Sequence, residues 1–450
     1  MELSRKNVLV VGLGESGLSV VRFLAARGAR VRVNDRRDRE ALGAAAAEVA
    51  ALGAELVVGG HPPGAFDGLD LIVVSPGVPS LPELDQAERA GVPVVSEVEL
   101  ASRFIEAPLV AVTGTNGKST VTTLIGQMCR GLGRPSFIGG NLGRPLIDAV
   151  GTDAAARGGL VVAELSSFQL ERVSKMRVHV AVLLNVTPDH LDRYPSFEAY
   201  AAAKARIFER QEADDFAVLP ADAADLRKLV KGHGAIVRFG GPDGEVRIID
   251  GILTDTKTTL RVPIGEVPTR GTHNASNACA ASLVARLLGV SPSDIETVLR
   301  EFPGLPHRMQ HVRSIEGVDY LDDSKATNVG AAIASIDGLS GLPGKIVLIA
   351  GGVDKGGSYQ PLVERMKQKG RAMVLIGEAS ALLERAFAGS AIEVRRAASM
   401  DDAVVQAAAL AIPGDTVLLA PACSSFDMFR SYAERGDFFQ RAVRDLGGKS

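Results

Sequence analysis

The stretch Ala111-Val112-Thr113-Gly114-Thr115-Asn116-Gly117-Lys118-Ser119-Thr120 constrains this chain more than any other. The apolar run Pro108 to Val112 predicts a buried parallel strand, and Thr120 to Cys129 predicts a helix. Strand, glycine-rich turn and helix in that order aim backbone N–H groups and a helix N-terminus at an anion. Lys118 is placed to reach outer phosphates, and the Ser119 hydroxyl to sit on Mg²⁺. The match to the Walker A pattern is imperfect, because its first glycine falls at Val112. Gly114 and Gly117 still give the turn freedom at positive φ. The plainer alternative is an ordinary turn with a surface lysine. ATP binding by Gly114 to Thr120 is the expectation.

Composition narrows the partners. A net charge of −3 with no basic block argues against a nucleic-acid or membrane-surface role. Cys129, Cys279 and Cys423 lie far apart without CxxC pairing, which suggests a reducing compartment and no zinc site. No apolar run of about 18 residues and no signal peptide is evident, so a cytoplasmic location is expected. A chain of 450 residues, 46% hydrophobic and 23% charged, has room for two to four domains.

Residues 1–97 predict a Rossmann-like unit. Strand Asn7–Val11 leads into Gly12-Leu13-Gly14-Glu15-Ser16-Gly17 and a helix through Ala26, and a second strand ends at Asp35. That is the GxGxxG fingerprint with an acid about 20 residues on. Further strands are expected at Glu55–Val58, Leu71–Val74 and Val92–Val95. Alone, the stretch suggests NAD binding. However, it ends after about five strands, without a histidine or lysine suited to hydride transfer. Ser75-Pro76-Gly77 is either a plain turn or a second loop on the same sheet edge.

Residues 98–302 predict a central P-loop ATPase-like domain. Gly139-Gly140-Asn141-Leu142-Gly143 reads as a loop flexible enough to approach a ligand. Glu164, closing the strand Leu160–Ala163, is a natural Mg²⁺ ligand beside a P-loop, or else caps the next helix. His190, beyond the strand Val180–Leu184, could hold metal, meet phosphate, or be structural. Lys204, on a helix expected over Ser196 to Glu209, normally reads as part of a solvated face. Asn274 and Asn277, one turn apart, could pair with an adenine edge or cap their helix.

Pro303-Gly304-Leu305-Pro306 has hinge chemistry. Residues 303–450 then predict a C-terminal Rossmann-like α/β domain, with strands at Asp319–Leu321, Lys345–Ala350, Ala372–Ile376 and Thr416–Leu419. Polar clusters at Asp322–Asn328, Gly351–Gly356 and Pro421–Phe426 end three of them, on the edge where ligands sit in open α/β sheets.

These motifs add up to a family. Thr113–Thr120, Glu164-Leu165-Ser166-Ser167-Phe168-Gln169-Leu170, Asn185…Asp189-His190-Leu191-Asp192, His273-Asn274…Asn277, His307-Arg308 and Asp323-Ser324-Lys325-Ala326-Thr327-Asn328 resemble the Mur ligases, in the family's order. Gly12–Ser19 and Pro421–Phe426 look like those of the D-glutamate-adding members, and the Asp-Asn-Pro-Arg signature of the diaminopimelate-adding ones is missing.

The resemblance overturns the NAD suggestion, because the family's first domain holds a UDP-sugar. It implies Glu15, Ser16, Asp35, Arg36 and Gly77 near uridine diphosphate, with Asn141 reaching the same substrate. Mg²⁺ would occupy two sites, one on Ser119 and Glu164, the other on His190 and a carbamylated Lys204. Asn277, Arg308 and Asp323 would contact ATP, and Lys325, Thr327, Lys355, Ser425 and Tyr432 would hold D-glutamate. Related members more often carry Phe at the position of Tyr432. With Lys118, Glu164, His190 and Lys204 as catalytic groups, the implied reaction joins D-glutamate to UDP-N-acetylmuramoyl-L-alanine through an acyl phosphate. A monomer is expected. The competing readings are an L-alanine-adding ligase and a non-catalytic nucleotide sensor.

Overall fold

The computed structural model describes every residue except Asp192, Arg270, Ser340, Leu342 and 447–450. Two compact units divide the chain. One comprises Met1–Val186, Glu198–Val262 and Asn277–Leu299, and the other comprises Thr187–Phe197, Pro263–Ser276 and the chain from Arg300 onward.

The first unit holds two sheets. A five-stranded sheet runs in the order Glu55–Val58, Arg30–Asp35, Asn7–Val11, Leu71–Val74, Val94–Ser96, all parallel. Strand order reverses beside Asn7–Val11, and ligands bind at such a switch point, beyond the carboxyl ends. Among the described residues the second sheet has nine strands, with Leu109–Thr113 between Val180–Leu183 and Leu160–Glu164. Those three are wholly buried and apolar up to the closing Thr113 and Glu164, as parallel strands covered on both faces must be. In the second unit, Val318–Asp322, Thr416–Leu419 and Ile346–Gly351 are parallel neighbours, so the loops after them emerge side by side.

The short strands expected over about Phe216 to Val262 form, and three other strands among the described residues go unforeseen in the sequence. Glu393–Arg396 and Gln310–Ile315 are sheet edges with several exposed positions, so their apolar signal is weak. Ser136–Gly140 includes Gly139 and Gly140, which read as flexible loop. They are instead sites of close approach, where an added Cβ would lie 2.4 Å from the Arg144 and Glu164 carbonyls respectively. The helix expected over 196–209 is shorter, Phe197–Ala205, and tightens into a 3₁₀ turn at Arg206–Phe208.

One apolar cluster runs through the first unit, from Val8, Val10 and Val33 through Val98 and Leu100 to Ala111, Val161 and Ala181. Helix Glu97–Ser102 joins the two sheets with buried carboxylates. Glu99 accepts from the backbone N–H groups of Ser174, Lys175 and Met176 and from Arg103. Glu97 accepts from the Ile147 N–H at 2.6 Å, while its Oε2 makes no hydrogen bond among the described residues. Burial pushes the Glu97 carboxyl up to about 7, and the Ile147 N–H only partly opposes it.

A carboxyl raised in this way favours folding while protonated. The benefit is complete below its ordinary pKa of 4.5 and is lost as pH rises through about 7. Glu97→Gln keeps the acceptor and removes the charge. It is expected to be more stable than the parent at pH 8, by up to about 3 kcal/mol. The difference should vanish below pH 4.5 in melting temperatures measured across that range.

Candidate functional site

The loop after strand Leu109–Thr113 turns on Gly114 (φ 150°) and Gly117 (φ 86°), the latter capping helix Lys118–Met128. The helix begins at Lys118, two residues earlier than the sequence suggests. Asn185 braces the turn in both directions: its Oδ1 accepts from the Asn116 N–H at 2.9 Å, and its Nδ2 donates to the Asn116 carbonyl at 3.0 Å. Lys118 Nζ donates to the Gly114 and Thr115 carbonyls at 2.9 and 2.8 Å. Asn277 packs on the glycine opposite, where a Cβ on Gly117 would lie 2.4 Å from its Oδ1.

Lys204 is not on a solvated face. It is 1% exposed, donates to the Gly114 carbonyl at 2.8 Å, and lies 4.5 Å from the centre of the Tyr200 ring. The Tyr200 hydroxyl is 3.2 Å from Thr115 Oγ1, so one helix face carries both side chains to the phosphate loop. Glu164 pairs in register with Val112, which brings its buried carboxylate to the loop's edge. Asn141 donates to Glu164 Oε1 at 2.8 Å.

At the switch point of the first sheet, Ser75 Oγ donates to the Gly12 carbonyl at 2.7 Å, which joins Ser75-Pro76-Gly77 to the glycine-rich turn. Glu15, Arg36 and Gly77 are exposed around it, with Ser16 partly buried. Asp35 is committed internally. It accepts from the Leu13 N–H at 2.7 Å, from the Arg37 N–H, and from the Arg37 guanidinium. Burial alone would raise its pKa, but the Arg37 and Leu13 hydrogen bonds outweigh that and hold it at about 2. Arg37 is thus a residue that sequence reading missed, hidden beside Arg36.

In the second unit, Asp189 is buried and accepts from Asn328 Nδ2 at 3.0 Å, with Lys355 Nζ 3.4 Å from its other oxygen. His190 beside it adopts φ 56°, and His307 and Met309, flanking Arg308, adopt φ 57° and 47°. Left-handed backbone at non-glycine residues is costly and collects at functional loops. Lys325 Nζ lies 3.7 Å from the centre of the Tyr432 ring. Burial pushes Asp323 up to about 6 against a hydrogen bond from Ser335 and the charge of Arg308. His307 is held above its usual range by the Asp322 carboxylate, 2.7 Å away, against the effect of burial. Thr327 is partly buried and Ser425 buried, on the loops that adjoin these.

Comparison with known proteins gives this arrangement its context. Residues 6–96 match the Mur ligase MurD-like N-terminal domain, 112–285 the Mur ligase middle domain, and 307–423 the Mur ligase glutamate ligase domain. A Geobacter metallireducens protein named UDP-N-acetylmuramoylalanine–D-glutamate ligase is 46% identical, with 99% of each chain covered. One of the same name from Myxococcus xanthus is 45% identical, over 99% of this chain and 100% of that one. The chain belongs to the Mur ligase family. Its fold is the family's three-domain α/β architecture. A Thermotoga maritima UDP-N-acetylmuramate–alanine ligase aligns with TM-score 0.59 at 19% identity, over 99% of this chain and 100% of that one. A pseudomurein peptide ligase from Methanothermus fervidus aligns with TM-score 0.63 at 18% identity, over 98% and 100%.

The donors present fit the magnesium expected of a Mur ligase. Among the described residues no group of three His, Cys, Asp or Glu side chains forms a cage. Mg²⁺ needs none, since it is usually held by one or two carboxylates together with substrate phosphates. The buried oxygens of Ser119, in the first turn of helix Lys118–Met128, and of Glu164, at the end of the strand beside Leu109–Thr113, suit that mode.

Nothing in the sequence pointed to Arg435, the largest fully buried side chain among the described residues of this Mur ligase. Its guanidinium donates to Ser324 Oγ and O at 3.0 and 2.9 Å, to the Cys423 and Ser424 carbonyls at 3.2 Å, and to Gly351 O at 3.5 Å. One cation therefore ties together the loops bearing Lys325, Lys355 and Ser425. Burial lowers its pKa to about 10, so it stays charged at neutral pH. Arg435→Met would strand several buried acceptors and should cost about 3 kcal/mol or more in denaturant unfolding. Arg435→Lys should recover less than half of that, because an ammonium cannot reproduce the planar fork.

Proposed function

We propose that this Mur ligase joins D-glutamate to UDP-N-acetylmuramoyl-L-alanine, with ATP converted to ADP and phosphate, in cytoplasmic synthesis of a peptidoglycan precursor. The carrying observation is full-length identity of 43% and more to relatives that bear that activity as their name. Forming an amide from carboxylate and amine in water is uphill. The substrate's carboxylate oxygen therefore attacks the γ-phosphorus, ADP leaves, and an acyl phosphate results. The acceptor amine then attacks the acyl carbon, loses a proton, and expels phosphate.

Each chain residue has a part in that reading. Gly114 to Thr120 cradle the phosphates, with Lys118 as clamp, and Asn277, Arg308 and Asp323 contact the nucleotide. Mg²⁺, held by Ser119 and Glu164 and at a second site by His190 and a carbamylated Lys204, would neutralise charge as anions meet. Glu15, Ser16, Asp35, Arg36, Gly77 and Asn141 surround the UDP-sugar, with Asp35 acting through Leu13 and Arg37. Lys325, Thr327, Lys355, Ser425 and Tyr432 receive the acceptor, whose two carboxylates call for two cations and a hydroxyl.

Two outcomes check the reading. ADP release in the presence of UDP-N-acetylmuramoyl-L-alanine should depend on D-glutamate, with L-glutamate and meso-diaminopimelate poor, since unpaired carboxylates or cations are costly. Faster release with L-alanine would replace D-glutamate as acceptor. For Lys204, whose burial and contact with the phosphate loop support the carbamate, Lys204→Ala should lose most activity. Acetate should restore part of it, and chloride at matched ionic strength should not. Carbon-13 bicarbonate should give the parent, but not the variant, a carbamate resonance.

A further inference from the structure

Lys355 sits on a loop that its own sequence leaves loose, because Gly356 (φ 74°) and Gly357 follow directly. The structure fixes this loop from outside. The Tyr359 hydroxyl donates to Asp354 Oδ1 at 2.6 Å, and Asp354 Oδ2 accepts from the Gly356 N–H at 3.1 Å. The same hydroxyl lies 3.2 Å from Cys423 Sγ. Asp354 and Gly356 flank Lys355, so both oxygens of one carboxylate frame its backbone.

The anchor itself is rigid. Tyr359 is 8% exposed within the core cluster of Leu362, Met373 and Leu375, and its carbonyl accepts from the Leu362 and Val363 N–H groups as helix Gln360–Lys369 begins. Cys423 is fully buried on the neighbouring loop, and Val353 and Ser424 exchange two backbone hydrogen bonds at 3.0 Å. The phenol oxygen is thereby fixed relative to the sheet at a point between the Lys355 loop and the Ser425 loop. An ammonium held in place before its ligand arrives loses less freedom on binding.

We propose that the Tyr359 hydroxyl, clasping Asp354 beside Cys423, is a positioning group that sets where Lys355 presents its ammonium and so tunes affinity for the acceptor's carboxylate. This rests on the reading of Lys355 as an acceptor-binding residue. A phenylalanine at 359 would fill the same core space, so the hydroxyl's contribution separates cleanly from packing.

The test is steady-state kinetics of full-length enzyme with each substrate varied in turn. Tyr359→Phe should raise KM for D-glutamate about tenfold, the worth of a hydrogen bond to a charged acceptor. Its kcat and its KM for ATP should stay within about twofold. Asp354→Ala should give the same rise, and the two together should do no more than either alone. In a Lys355→Met background, Tyr359→Phe should add nothing. If Lys355→Met leaves the D-glutamate KM unchanged, the reading of Lys355 fails and the proposal falls with it. If Lys355→Met raises that KM but Tyr359→Phe does not, the clasp alone is refuted. A Tyr359→Phe effect spread evenly over all three substrates with a lowered Tm, or one that adds fully to Lys355→Met, likewise overturns it.

Discussion

Two lysine ammonium groups converge on one backbone oxygen, the carbonyl of Gly114, at 2.9 Å from Lys118 and 2.8 Å from Lys204. Like charges this close raise each other's energy, and the buried setting weakens the screening that water would supply. Such a pair is relieved by an anion placed between its members or by conversion of one cation into an anion. The phosphate loop offers the first route through its N–H groups and helix terminus. A carbamate on Lys204 would be the second. Gly114 sits at φ 150°, a conformation that a side chain would resist.

In the second unit one buried cation holds three loops together. Arg435 donates to carbonyls and one hydroxyl, and the charges of Asp427 and Asp322 act on it without direct hydrogen bonds in that fork. Backbone strain gathers nearby at His307, Met309 and Ala422, which a loosely held loop would relax.

Much of this was legible in sequence, for identifiable reasons. Continuous runs such as Leu109–Thr113 and Leu160–Glu164 announce buried parallel strands, and Gly114 and Gly117 mark the turn after the first. What escaped was decided by tertiary contact. Lys204 has the local surroundings of a solvated residue, and only its packing against Tyr200 and Gly114 buries it. Glu97 and Glu99 look like the acidic first turn of a surface helix, yet they join two sheets. Gly139 and Gly140 carry the signature of a loop and are instead strand residues, pressed against neighbouring carbonyls. Arg435 lies far along the chain from the loops at Ser324 and Gly351, and Tyr359 from Cys423, and no periodicity reveals those contacts.

The first sheet shows why a fingerprint and its usual ligand are separable. Glycine-rich turn, helix and strand-end acid are all present, and the acid even lies in the expected place. In a dinucleotide site, that acid needs an oxygen to offer the ribose. Asp35 spends its two oxygens on the Leu13 N–H and on Arg37, and hydrogen bonds strong enough to hold its pKa near 2 do not yield readily to a hydroxyl. The turn is closed from the other side by Ser75. The fold thus keeps the architecture of a nucleotide crevice while the acid at its strand end is paired with Arg37. That pair brings no net charge to the edge, so the fingerprint's acid is spent on structure, and the fingerprint by itself does not name a ligand.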